Sequence, residues 1–117
     1  MFNRQVGLSG EEQAAQYLIK QGYTVLERNF TCRGGELDIV ARDPQGVLVF
    51  VEVKSRNNTR FGAPEEAITP AKVRSLLTAA RYYCMQHKCF GQNMRFDVIA
   101  ILRGSVRHIP NAFGLQG

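Results

Sequence analysis

Val47-Leu48-Val49-Phe50-Val51-Glu52-Val53-Lys54-Ser55 is the stretch on which the fold turns. Its odd positions are all valine up to Val53, and its even positions run Leu48, Phe50, Glu52, Lys54. Side chains alternate between the two faces of a strand, so this segment is apolar on both faces until Glu52. Such a strand is central in its sheet and covered on both sides. Two charges then appear together on one face at its C-terminal end. Burying an unpaired carboxylate costs several kcal/mol or forces its protonation. Glu52 therefore needs a partner, and a simple ion pair with Lys54 is the plainest one.

Upstream, Glu36 to Arg42 alternates, with Leu37, Ile39 and Ala41 on one face and Glu36, Asp38 and Val40 on the other. Asp43-Pro44-Gln45-Gly46 between the two strands is a strong turn signal. If Arg42 pairs with Leu48, Asp38 lies directly across from Glu52. Like charges so opposed destabilise a sheet, and a divalent cation between them reverses the sign. That register requires a five-residue loop or a bulge; a plain four-residue loop sends Asp38 to the Val51 side.

Further out, a helix is expected from Gly10 to Gln21. Ser9 caps it, Glu12 completes a capping box, and Gly22 suits the position that ends it. Ala15, Leu18 and Ile19 form its apolar stripe, with Gln13, Gln16 and Lys20 in water. Glu11 shares the stripe's inward face. Tyr23 to Asn29 reads as a strand and Thr31 to Gly35 as a turn. After Ser55 comes a polar, basic loop, Arg56 to Gly62, in which Arg56 and Arg60 are candidates for holding phosphates or are simply solvated. A second helix starts at Thr69-Pro70, with Val73, Leu76, Leu77, Ala80 and Cys84 inward and Lys72, Arg74 and Arg81 read as solubilising charges. Arg95 to Leu102 is a further strand, in which Asp97 reads as a structural partner of Arg95 or a backbone amide rather than a ligand. Val106 to Ile109 is a short edge strand, and the tail 110–117 is expected to be poorly ordered.

The order helix, three strands, helix, strand gives an α/β fold, a mixed central sheet flanked by helices, with the two strands around the second helix parallel by a right-handed crossover. The 117 residues fit one domain, with its core at about 6–102. No apolar run is long enough to span a bilayer, and the N-terminus lacks the core of a secretory signal, so a cytoplasmic protein is expected. Cys32, Cys84 and Cys89 cannot all pair and do not match structural zinc spacing; reduced thiols are the natural reading. The formal charge is +5, from fifteen Lys and Arg against ten Asp and Glu. With Glu11, Asp38 and Glu52 engaged on a cation, seven acids would remain against fifteen bases, a surface suited to a polyanion.

Asp38, followed after thirteen residues by Glu52-Val53-Lys54, resembles the Asp…Glu-x-Lys signature of restriction-endonuclease-like nucleases. Gly10-Glu11 with Ala14 to Leu18, Gly35 to Ala41, Val49 to Arg56, and Arg95-Phe96-Asp97-Val98 together resemble the YraN-like family, over roughly Val6 to Leu102. That bacterial family is described as predicted endonucleases related to archaeal Holliday-junction resolvases. The resemblance implies a restriction-endonuclease-like fold and a Mg2+- or Mn2+-dependent nuclease acting on DNA, including branched or junction DNA. It implies Asp38, Glu52 and the Val53 carbonyl as metal ligands, with Glu11 completing them directly or through water. Lys54 would orient or activate the attacking water, and Glu36 would support the ligands from behind. Analogy with resolvases implies a two-fold homodimer. The alternatives are a nucleic-acid-binding module without catalysis, and an interaction protein whose charges form a structural ion network.

Overall fold

The computed structural model describes residues 8–60 and 62–113. The expected start of the core at Val6 and the last four residues of the expected tail lie outside these. The elements run α1 (Gly10–Lys20), β1 (Thr24–Cys32), β2 (Gly35–Arg42), β3 (Leu48–Arg56), a 3-10 turn (Pro64–Ala67), α2 (Pro70–His87), β4 (Met94–Leu102) and β5 (Ser105–Phe113). The five strands form one sheet in the order β1-β2-β3-β4-β5. Only β3 and β4, joined through α2, are parallel; the other neighbours are antiparallel. This is the mixed α/β sheet flanked by helices that the hydrophobic pattern requires.

β3 is the central strand, and Leu48, Val49, Phe50, Val51 and Glu52 are all buried. One core lies under α2 and contains Val40, Leu48, Phe50, Leu76, Tyr83 and Phe96. The other lies under α1 and contains Leu18, Ile39, Ala41, Val49, Val51 and Ile99. The odd valines of β3 therefore face α1 and its even residues face α2.

Ser9 caps α1 as expected, its Oγ accepting from the Glu12 N–H at 3.0 Å, with Gly22 at φ +90°; the Glu12 carboxylate accepts from Arg28 Nη1 at 3.1 Å instead of closing a capping box. Its stripe differs from expectation: Ala14, Ala15 and Leu18 are buried while Ile19 is 59% exposed. The buried arc is centred on positions 11, 14, 15 and 18, which turns position 19 outward.

Three boundaries also differ. β1 continues to Cys32 because Phe30 buries against Leu37 opposite it, narrowing the turn to Arg33-Gly34. β5 is nine residues long and takes in 110–113, which were expected to be loose. Phe113 stacks on Phe96 at 4.9 Å, and the Asn111 N–H donates to Asp97 Oδ1 at 2.9 Å. Pro110 is tolerated there because β5 is an edge strand. The 3-10 turn interrupts what the sequence pattern leaves as loop.

Gly35 lets α2 approach β2: a Cβ at that position would stand 2.3 Å from the Ser75 carbonyl oxygen. Among the described residues no helix is long and apolar enough to cross a membrane. Cys32, Cys84 and Cys89 are free thiols, the last two buried.

Candidate active site in the fork between the second and third strands

The connection from β2 to β3 is the five-residue loop Asp43 to Val47. Asp43 Oδ1 accepts from the N–H groups of Gln45 and Val47, both at 2.9 Å, and Gly46 adopts φ +90°. The Asp side chain thus folds the loop on itself and sets the register Arg42–Leu48, Ala41–Val49, Val40–Phe50, Ile39–Val51.

Beyond Ile39–Val51 the two strands part. β2 runs on toward Gly35 paired with β1, and β3 runs on to Arg56 paired with β4. Asp38 and Glu52 are the next residues on either side, at the crotch of this fork. Asp38 Oδ2 accepts from the Val53 N–H at 2.8 Å, bridging the strands where the backbone ladder ends. N–H and C=O of one extended residue project to the same side, so the Val53 carbonyl is also turned toward the fork.

Glu52 is 3% exposed. Its Oε2 lies 3.4 Å from Lys54 Nζ and 3.3 Å from Lys72 Nζ. Its Oε1 is buried without any hydrogen-bond partner among the described residues. Burial, and with it the Glu52 charge working against the Val53 N–H, pushes the Asp38 carboxyl up to about 6. Two carboxyl groups are therefore held within hydrogen-bonding reach of each other at a cost, and with Asp38 ionised the Glu52 Oε1 has no donor among the described residues. Buried polar atoms are nearly always satisfied, and orphaned carboxylate oxygens in this setting suit a hard cation.

Lys72 is the residue that sequence reading misplaced. It is not a free surface charge but the second ammonium on Glu52. Thr69 caps α2 by accepting from the Lys72 N–H at 3.1 Å, which fixes Lys72 in the first helical turn above the fork. The available signal was electrostatic: a cation in the first turn opposes the helix dipole, and that turn holds no acidic residue to offset it.

The remaining predicted residues lie elsewhere. Glu11 Oε2 accepts from Arg28 Nε at 2.9 Å and Asn29 Nδ2 at 3.0 Å. Among the described residues no three acidic, histidine or cysteine side chains surround one ion-sized gap. The expected convergence of three carboxylates is thus replaced by two, because Glu11 is already neutralised by Arg28. Asn29 falls between the pairs Arg28–Ile39 and Phe30–Leu37, at the level of Asp38, so Glu11 adjoins the fork through this amide. Asn29 carries φ +57°, a strained value that its side-chain bond to Glu11 helps to hold. Glu36 is exposed and pairs with Thr31. Arg56 and Arg60 are both exposed. Arg56 donates to the Ser55 carbonyl, and the Arg60 N–H donates to Asn58 Oδ1.

Asp97 is structural, as expected. It takes Arg95 Nε at 3.0 Å, and its Oδ2 lies 2.7 Å from His108 Nε2. Burial alone would raise its carboxyl, but His108, Arg95 and the Asn111 N–H together hold it below the ordinary carboxylate range. The partnership with His108 on the edge strand, and of His108 with Tyr17 on α1, left no mark in the sequence pattern.

Residues 10–101 match the model of the family described as "Uncharacterised protein family UPF0102". The chain is 51% identical over 116 residues to a UPF0102 protein of Syntrophomonas wolfei, covering 96% of this chain and 100% of that protein. It is 44% identical over 116 residues to a UPF0102 protein of Persephonella marina, covering 99% of each. Among solved structures it is similar to one described as "Structure of EndoMS-dsDNA2 complex", at 20% identity and a TM-score of 0.44. That likeness covers 76% of this chain and 35% of the longer protein.

Proposed function

The chain belongs to the uncharacterised protein family UPF0102, and from that premise and the paired carboxylates of the fork we propose that it is a metal-dependent nuclease hydrolysing phosphodiester bonds in DNA. The observation that carries the reading is the buried, unpartnered Oε1 of Glu52 beside an Asp38 carboxyl pushed up to about 6. A mixed sheet with acidic residues at a strand fork is also what a restriction-endonuclease-like nuclease requires.

Asp38, Glu52 and the Val53 carbonyl would hold Mg2+ or Mn2+. These hard oxygen donors leave coordination positions for water and phosphate, as suits either ion. When bound, the ion would lower the pKa of a water and offset charge on the phosphate. Lys54 and Lys72 sit on the same carboxylate and present two ammonium groups where a pentavalent phosphorane gathers negative charge. Lys54, at the end of a rigid strand, is the group that orients the attacking water. Branched DNA and a two-fold dimer are the substrate and assembly that the resemblance to junction resolvases favours.

A second reading, an interaction protein whose charges form a structural ion network, is favoured by the pairing of Glu52 Oε2 with two lysines. Calorimetry with Mn2+ and cleavage of junction, flap, duplex and single-stranded DNA separate the two. A nuclease binds the ion and cuts, and loses cutting but not DNA binding in Asp38→Ala and Lys54→Ala. Absence of ion uptake at millimolar Mn2+ would overturn the proposal.

A further inference from the structure

A second concave surface lies on the opposite face of the sheet from the fork, at the same end of β3. Alternation places Lys54 toward α2 and Ser55 toward α1, where a Cβ on Gly10 would stand 2.7 Å from the Ser55 Cβ. Beside this close approach opens a cleft of about 710 Å³, bounded by α1, the end of β3 and the β4–β5 turn. Its polar lining includes Gln13, Lys20, Ser55, Arg56, Asn57 and Arg103, and no carboxylate among the described residues lines it.

Its three cations differ in how far they are engaged. Arg103 Nε donates to the Asn57 carbonyl at 2.9 Å, and its N–H donates to the Arg56 carbonyl at 3.1 Å, so it fixes the wall. The Arg56 side chain donates only to the carbonyl of its own neighbour, Ser55. Lys20 is exposed and has no ion-pair partner among the described residues. Positive charge lined by amide and hydroxyl groups, with no acid among the described lining residues to oppose it, matches a phosphodiester backbone.

The geometry points to this cleft as a binding site for nucleic-acid backbone flanking the phosphate at the fork, with Lys20 and Arg56 as its phosphate-binding cations. Four residue steps separate Glu52 from Arg56 along an extended strand, about 13 Å; Arg56 is an even residue of β3 but stands at the strand's last position, where it lines the cleft from the tip. The bound strand therefore crosses the tip of β3, with one phosphate above Glu52 and neighbouring phosphates on the α1 side. The inference rests on the nuclease reading for the polymer's identity alone; the binding itself requires neither metal nor cleavage.

The test is fluorescence anisotropy in EDTA, with labelled duplex DNA, single-stranded DNA and RNA of equal length, at several KCl concentrations. Lys20→Ala/Arg56→Ala is expected to weaken binding of the preferred polymer by on the order of 50-fold at 0.1 M KCl. Its log–log salt dependence should flatten by about 0.9 for each phosphate that is no longer neutralised. Arg81→Ala/Lys88→Asn, at the far end of α2, is expected to change neither quantity. Melting curves establish that both variants fold. An unchanged affinity and salt slope in Lys20→Ala/Arg56→Ala would overturn the proposal, as would an equal loss in the α2 variant. RNA bound more tightly than DNA would keep the cleft and change its polymer. Failure of cleavage in Mg2+ with binding intact would count against the nuclease reading alone.

Discussion

The Asp38 carboxylate and the Val53 N–H meet at 2.8 Å at the point where β2 and β3 separate. One acidic side chain thus closes the backbone ladder and brings its own charge against Glu52. The same bond turns the backbone of Val53 toward the gap, so a single hydrogen bond positions both the Asp38 carboxylate and the Val53 carbonyl that the proposed ion would use.

That arrangement has a pH signature. With its folded pKa raised to about 6 from the ordinary 3.8, Asp38 binds its proton more tightly in the folded chain. The stabilisation is full below pH 4 and is lost as pH rises through 6. In EDTA, Asp38→Asn keeps an acceptor for Val53 without the charge. It should therefore gain melting temperature relative to the wild type between pH 4 and 7, and not below pH 4. A constant difference across that range would show that carboxylate repulsion does not act at the fork.

Divalent cation binding should show the same group in reverse. A proton on Asp38 competes with the ion, so Mn2+ affinity measured by calorimetry should climb about tenfold per pH unit below pH 6 and level off above it. Bound ion should also raise the melting temperature at pH 7.

Lys72 separates ion binding from chemistry. Lys72→Met removes an ammonium that now competes for Glu52 Oε2. Mn2+ should bind more tightly, while DNA cleavage falls by about 10²- to 10³-fold, as when one charge-stabilising donor is lost. Parallel titration and single-turnover cleavage check both halves. Cleavage at the wild-type rate would reduce Lys72 to a structural counterion.

Asp97 tests the edge strand. Its side chain is 0% exposed and joins Arg95, His108 and the Asn111 N–H. Asp97→Asn should cost about 1.5–3 kcal/mol in urea unfolding, because it takes the charge out of the buried bonds to His108 and Arg95, while Arg95 keeps Asp43 Oδ2 at 2.6 Å. With its pKa depressed, the carboxylate contributes stability that is present above pH 4 and lost as pH falls through the lowered value. Hydrogen exchange should show β5 losing protection first.

Gly35→Ala probes the seat of α2. The added methyl meets the Ser75 carbonyl oxygen at 2.3 Å, closer than any side chain can approach. The helix must move away from β2, at a cost of about 1–3 kcal/mol or more. Since Lys72 rides on that helix, its distance to Glu52 should lengthen, and cleavage should fall even where the protein remains folded.

Local pattern was enough to read the central strand, the two capped helices and the Glu52–Lys54 pair from the sequence. Apolar periodicity and capping chemistry act between residues a few positions apart. The register of β2 against β3 needed more. It depends on Asp43 folding its loop into five residues, a bond between a side chain and backbone groups that composition only hints at. The ordered 110–113 stretch was illegible because Phe113 and Asn111 are held by Phe96 and Asp97, on a strand that pairs with them only after folding.

The sequence by itself determined which residues carry charge into an apolar strand, and hence that Asp38, Glu52 and Lys54 need partners. Only tertiary structure decided who those partners are. Lys72 arrives from a helix beyond the crossover, and Glu11 is drawn aside to Arg28 and Asn29. The reason is range: hydrophobic alternation is a property of neighbouring residues, whereas the pairing of buried charges is settled by whichever opposite charge the packed chain brings within about 4 Å.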